Sequence, residues 1–156
     1  MTNTSQLATM LLTGLALGLT AFDRSYAEEV DVNKTAEALH AAISSLDAAK
    51  IEALWAHDAR VTLVNPTDKT VSVGWDAVKA NWEGITGRYN TLKIAQVDGP
   101  YVTVKGKVAW RTGVASSIGQ LKSGAEVNAR VIETDIFEKR GGKWFIVSHT
   151  AVRAPN

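Results

Sequence analysis

Asp135 and His149 are the two side chains in this sequence best suited to move a proton, since a carboxylate beside an imidazole is the minimum apparatus for general acid–base work. Both sit in runs of alternating, β-branched residues, Glu126 to Lys139 and Trp144 to Arg153, joined by Arg140-Gly141-Gly142-Lys143. A type I′ turn needs positive φ at both central residues, so the paired glycines make the two runs a hairpin with Asp135 and His149 on adjacent strands. On the first strand Val131, Glu133, Asp135 and Phe137 share one face; on the second, His149 is placed with Phe145, Val147 and Ala151. Apolar surroundings and a neighbouring carboxylate both disfavour ionisation, which makes Asp135 a candidate proton donor or base with His149 as its partner. The competing reading is a structural aspartate paired with Arg111 or Arg130.

Around this pair a pocket is expected from Trp82, Trp110, Thr112, Glu133, His40 and Asn65, an aromatic wall with few polar groups. Trp55 and Trp144 are expected in the core. His57 falls in a Trp-Ala-His-Asp turn and is expected to cap the end of a helix, where the dipole favours a cation. The three histidines lack metal-ligand spacing, and no cofactor is expected. The absence of cysteine excludes thiolate catalysis, disulfides and Cys-based zinc sites. Without a Gly-rich phosphate loop or a G-x-S-x-G elbow, nucleotide and serine-hydrolase chemistry have no support. With 17 basic and 16 acidic residues, scattered rather than clustered, the chain offers no phosphate-binding surface, so nucleic acid is not an expected partner.

The elements that must position these residues follow from periodicity. Val32, Ala36, Leu39, Ile43 and Leu46 form one helical stripe over Asp31 to Leu46, and Asp47 is placed to cap a second helix, Ala48 to His57. Ala59 to Asn65 and Thr70 to Val73 read as two strands about a Pro66–Lys69 turn. Gly74-Trp75 opens a third helix expected to stop near Ile85 at Gly84 and Gly87. From Tyr89 on all is strand: Leu92 to Val97, a break at Asp98-Gly99-Pro100, a hairpin about Gly106, and the closing hairpin. The expected fold is α+β, three N-terminal helices packed on an antiparallel sheet. Both faces of the penultimate strand are partly apolar, so the face away from the helices needs a cover, which a sheet-on-sheet homodimer would supply.

The N-terminus reads as an export signal. Leu7 to Phe22 is an apolar run of about 16 residues, shorter than the ~20 that span a bilayer, and Ser25-Tyr26-Ala27 fits the small-x-small pattern of a cut before Glu28. Against this stands an n-region, MTNTSQ, without Lys or Arg; the alternatives are a retained anchor or a buried helix. The expectation is a signal over residues 1–27, a domain over 28–156, a periplasmic or secreted location, and no membrane contact after cleavage.

The run from Glu133 to His149 resembles the closing hairpin of the nuclear transport factor 2-like superfamily, above all its SnoaL-like branch and the association domain of calcium/calmodulin-dependent kinase II. Leu54-Trp55-Ala56-His57-Asp58-Ala59 before a strand, and Gly74-Trp75 opening the third helix, agree with it. The resemblance implies a cone: a strongly curved sheet wrapped over the helices with a pocket between, commonly dimeric. It does not choose a reaction. Compared with the ketosteroid isomerases, whose oxyanion hole includes a protonated aspartic acid, Asp135 falls at that aspartate. The base position falls on Asn65 or Leu63 and the tyrosine position on Leu39, so their mechanism is not carried over. Two basic positions of the kinase domain's pocket fall on Asp135 and Ala151. The resulting expectation is an exported domain binding a small apolar or weakly polar molecule. The alternatives are a lyase or isomerase using Asp135 and His149, or a non-enzymatic accessory or oligomerisation domain.

Overall fold

A computed structural model describes the backbone of residues 5–155 and the side chains of residues 25–155; most of the expected export segment therefore lies outside the described side chains. Three helices, α1 (Ser5–Ser44), α2 (Ala48–Glu52) and α3 (Trp75–Arg88), pack on one curved, unclosed six-stranded sheet. The strands are β1 (Thr62–Val64), β2 (Ser72–Val73), β3 (Tyr89–Lys105), β4 (Val108–Leu121), β5 (Glu126–Arg140) and β6 (Lys143–Arg153), in the order β2-β1-β6-β5-β4-β3. All pairs are antiparallel except β1 with β6, which run parallel. Among the described residues no helix is long and apolar enough to cross a membrane.

The expected stripe on α1 is the buried one: Val32, Ala36, Leu39 and Ile43 lie in the core with Ile51, Trp55, Val78 and Phe137. Leu46 takes a left-handed backbone (φ 54°) just past the helix end, and Asp47 accepts a hydrogen bond from Lys50 N–H at 3.1 Å to start α2. Ser44 ties α1 to the sheet, accepting from Ile94 N–H at 2.9 Å while donating to His40 O at 2.7 Å.

Three expectations need correction. The second helix ends at Glu52 rather than His57, because Trp55 joins the sheet: Ile146 N–H donates to Leu54 O and Ala56 N–H to Ile146 O, both at 2.9 Å. His57 still closes that helix, its Nε2 lying 3.0 Å from Glu52 O while its ring stacks on Trp75 at 4.0 Å. The third helix runs through Gly84 and Gly87 to Arg88, since both glycines lie on its exposed side while Trp82 and Ile85 hold the buried one. Asp98-Gly99-Pro100 does not end a strand; β3 continues past it, absorbing the extra residues as bulges.

A further bulge reverses strand parity in β6. Ile136 pairs with Ser148 but Phe137 pairs with Ile146, leaving Val147 as the inserted residue. Trp144 and Ile146 therefore share the inner face with His149 and Ala151, while Phe145 and Val147, expected beside His149, do not.

Candidate functional site

The inner face of β4 reads Ala109, Arg111, Gly113, Ala115: small residues on either side leave room for a guanidinium under the helices. Arg111 is 2% exposed, and facing it across β5 are Glu133 and Asp135, at 2% and 1%. Arg111 Nη1 donates to Glu133 Oε1 at 2.9 Å and to Asp135 Oδ2 at 3.1 Å, and Nη2 donates to Gln96 Oε1. Gln96 reaches this position from the bulged part of β3, its amide also donating to Val114 O at 3.0 Å. Gly113 makes the crossing possible, because a Cβ there would collide with the Gln96 amide.

His149 stands opposite Asp135 in the β5–β6 register, with Nδ1 at 2.6 Å from Asp135 Oδ1. From α1, His40 brings Nε2 to 2.8 Å from Glu133 Oε1, an ion-pair distance without hydrogen-bond alignment. The result is one buried chain, His40–Glu133–Arg111–Asp135–His149, alternating in charge type. Moving ions out of water costs several kcal/mol each, so such a chain persists only where each charge is matched.

The electrostatics follow from that matching. Burial pushes the Glu133 carboxyl up, but His40, Arg111 and the more distant His149 outweigh it and hold the group down at about 2. Burial pushes the His149 imidazole down, but the charge and hydrogen bond of Asp135, with Glu133 behind, outweigh it and raise the group above its ordinary 6.5, against some repulsion from Arg111. The Asp135 carboxylate thus favours the protonated form of His149.

Above this chain opens a narrow cleft between α1, α3 and the sheet, with a cavity volume of about 80 Å³. Its walls are mostly apolar, among them Ile43, Ile85, Leu92, Val131 and Ala151; polar groups enter at His40, Asn65, Glu133 and His149, and Thr67, Ser117 and Arg153 also line it. Trp82 lies against His149 with ring centres 5.8 Å apart. With Nδ1 engaged by Asp135, Nε2 is the ring nitrogen that His149 can offer to the cleft.

Of the residues expected to form the site, His40, Asn65, Trp82, Glu133 and His149 line the cleft. Asp135 does not: it lies behind His149, clamped by Arg111, where it can orient and charge the ring but not touch a ligand. Trp110 and Thr112 are corrected outright. They lie on the opposite face of β4 from Arg111, Trp110 38% exposed beside Ile136 and Thr112 within 3.2 Å of Thr134 on the outer surface. Arg111 entered the sequence reading only as a structural partner and Gln96 not at all; the small residues flanking Arg111 were the available signal. Among the described residues no cluster of His, Asp and Glu could hold a metal ion.

A family model for the SnoaL-like domain matches residues 32–152. No curated protein matches by sequence. Solved structures do share the fold. A proposed dehydratase of the nuclear transport factor 2-like family from Streptomyces avermitilis is 20% identical with a TM-score of 0.75, over 85% of this chain and 99% of that one. A proposed calcium/calmodulin dependent protein kinase II association domain from Xanthomonas campestris is 21% identical with a TM-score of 0.69, over 80% and 86%. A ketosteroid isomerase-like protein from Erwinia carotovora atroseptica is 16% identical with a TM-score of 0.71, over 83% and 98%.

Proposed function

The chain belongs to the SnoaL-like domain family, and from that premise we propose that it binds a small, largely apolar molecule in its cleft and that His149 exchanges a proton with it, as in a cofactor-independent lyase or isomerase. The observation that carries this reading is His149 itself: an imidazole held through Nδ1 by Asp135 at 2.6 Å, its protonated form favoured by that carboxylate, facing a cleft with mostly apolar walls. A cation under a low-dielectric roof is a strong donor to a substrate oxygen, whether the carbonyl of an isomerisation or the departing hydroxyl of a dehydration. Asp135 is a positioning residue: it sets which ring nitrogen faces the cleft and keeps the proton on it. The fold likeness to a proposed dehydratase and a ketosteroid isomerase-like protein supports the reaction class, not the substrate.

The test is an NMR titration with cyclic ketones and alcohols, followed by proton exchange of a bound ketone in heavy water. Binding should move the His149 and Trp82 signals, and exchange at the carbon beside the carbonyl, in which His149 donates to the carbonyl oxygen while water takes the carbon-bound proton, should need His149 and fail in His149→Asn. Binding without exchange would reduce the domain to a ligand carrier. Signals that move only outside the cleft would remove the reading.

Two further parts belong to the same proposal. The outer sheet face carries Val108, Trp110 and Ile136 on one side of a Thr112–Thr134–Thr150 row and Ile132 and Val152 on the other, these five apolar residues each between 38% and 46% exposed, which supports a homodimer packed sheet on sheet. The apolar run before Ser25-Tyr26-Ala27 supports export with a cut before Glu28. Helix α1 of the mature chain would then begin on a residue held at 2.5 Å by Lys139 and at 3.0 Å by the Trp144 indole. N-terminal sequencing of exported protein tests the cut; a mature chain starting elsewhere removes it.

A further inference from the structure

Asn65 ends β1 on the inner face, 5% exposed, and lines the same cleft as His149. Because Leu63 pairs with His149 in the parallel β1–β6 register, Asn65 stands one pleat further along on the same face, beside Ala151. Its amide is not free to turn. Asn65 Nδ2 donates to Asn81 Oδ1 at 3.0 Å, and Asn81 Nδ2 donates in turn to Asp68 Oδ2 at 2.8 Å and Ser72 Oγ at 3.1 Å. Asp68 Oδ2 also accepts the backbone N–H of Asn65 at 2.8 Å.

The chain has one direction. An aspartate oxygen that already accepts from a backbone N–H must meet a donor from Asn81, so Asn81 turns its NH₂ toward Asp68 and its carbonyl toward Asn65. Asn65 must then spend its NH₂ on Asn81, which leaves Oδ1, a pure acceptor without a partner among the described residues. Flipping the Asn65 amide would set two carbonyl oxygens against each other, and flipping both would set a carbonyl against the carboxylate.

We infer that the cleft selects a neutral ligand bearing a hydroxyl group, the hydroxyl oxygen accepting from His149 and its hydrogen donated to Asn65 Oδ1. The inference deepens the cleft-binding reading and rests on it. A ketone or an ether can satisfy His149 but has no hydrogen for Asn65, so it covers the Asn65 Oδ1 acceptor and leaves it unpaired. Discrimination by a polar site comes from such unpaired groups.

The test compares cyclohexanol, cyclohexanone and cyclohexyl methyl ether, which share an apolar ring and differ at the oxygen, by NMR titration of the full mature chain. Cyclohexanol should bind about five- to ten-fold tighter than the other two. In Asn65→Leu, which keeps the branched shape and loses the acceptor, that preference should vanish while the ring still binds. Equal binding of the three by the wild type overturns the inference alone, as does a preference that survives Asn65→Leu. Binding of none of them to the cleft overturns the cleft reading and the inference with it. The wild-type comparison stands by itself if the leucine variant fails to fold.

Discussion

His149 Nδ1 and Asp135 Oδ1 lie 2.6 Å apart at directly facing positions of β5 and β6, each residue no more than 3% exposed. A buried pair this close couples the protonation of one to the charge of the other. Replacing Asp135 by Asn keeps the shape and removes the charge that outweighs burial at His149. The His149 titration midpoint, followed through its ring proton by NMR, should fall; an unmoved midpoint would mean that Asp135 does not set the state of the ring.

Glu133 sets the acid limb of stability. Its carboxyl is held at about 2 in the folded chain, against an ordinary 4.5 when unfolded, so its contribution is complete above 4.5 and is lost as pH falls toward 2. The lost term is on the order of 3 kcal/mol. Urea denaturation between these pH values should show that slope in the wild type and a flatter one in Glu133→Gln. On the alkaline side the sign is opposite: His149, raised above 6.5, stabilises fully below that value and progressively less as pH climbs through its folded pKa.

Arg111 holds two carboxylates that would otherwise repel each other in the core. Arg111→Leu should cost about 3–5 kcal/mol at neutral pH, because the two buried anions lose the shared cation between them. Denaturant titrations at pH 7 and at lower pH separate this from a packing defect: protonation of the carboxylates should recover part of the loss, whereas a packing defect would persist.

At Gly113 the constraint is space. Gly113→Ala places a methyl on the Gln96 amide and close to Asp98 O, displacing the side chain that braces Arg111 from the β3 side. The expected loss is about 1–3 kcal/mol, the usual cost of forcing atoms into a packed site. An unchanged denaturation midpoint would show that Gln96 relocates freely and braces nothing.

The outer stripe gives an assembly prediction. Ile136→Lys puts a charge at the centre of the apolar face without touching the core, since Ile136 is 38% exposed. Light scattering should report a dimer for the wild type and a monomer for the variant. A wild-type monomer would leave the stripe without the role assigned to it.

Much of this was legible in the sequence for a definite physical reason. The alternation along β5 places Val131, Glu133, Asp135 and Phe137 on one side whatever the neighbours do, and the two-glycine turn, with φ of 56° and 85° at Gly141 and Gly142, fixes the strand that follows. Parity across β4 was not legible, because the face that Trp110 shows depends on its register with β5, a tertiary fact. Tryptophan suggested a pocket wall, yet Trp110 stands on the outer face, while Arg111 takes the inner one beside Asp135. The Val147 bulge was equally hidden: it arises where Ile146 must bond to Leu54 and Ala56, a segment some 90 residues earlier in the chain. The Asn65–Asn81–Asp68 relay joins residues from a strand end, a helix and a turn, so no local pattern announces it.

The Val147 insertion has a consequence for how this protein can change. It divides β6 into two halves with different partners: Trp144 bonds to Glu28 of α1 and Ile146 to Leu54 and Ala56, whereas His149 and Ala151 line the cleft. The glycine hairpin and everything up to Ile146 can be redesigned as scaffold while the second half is retuned as receptor.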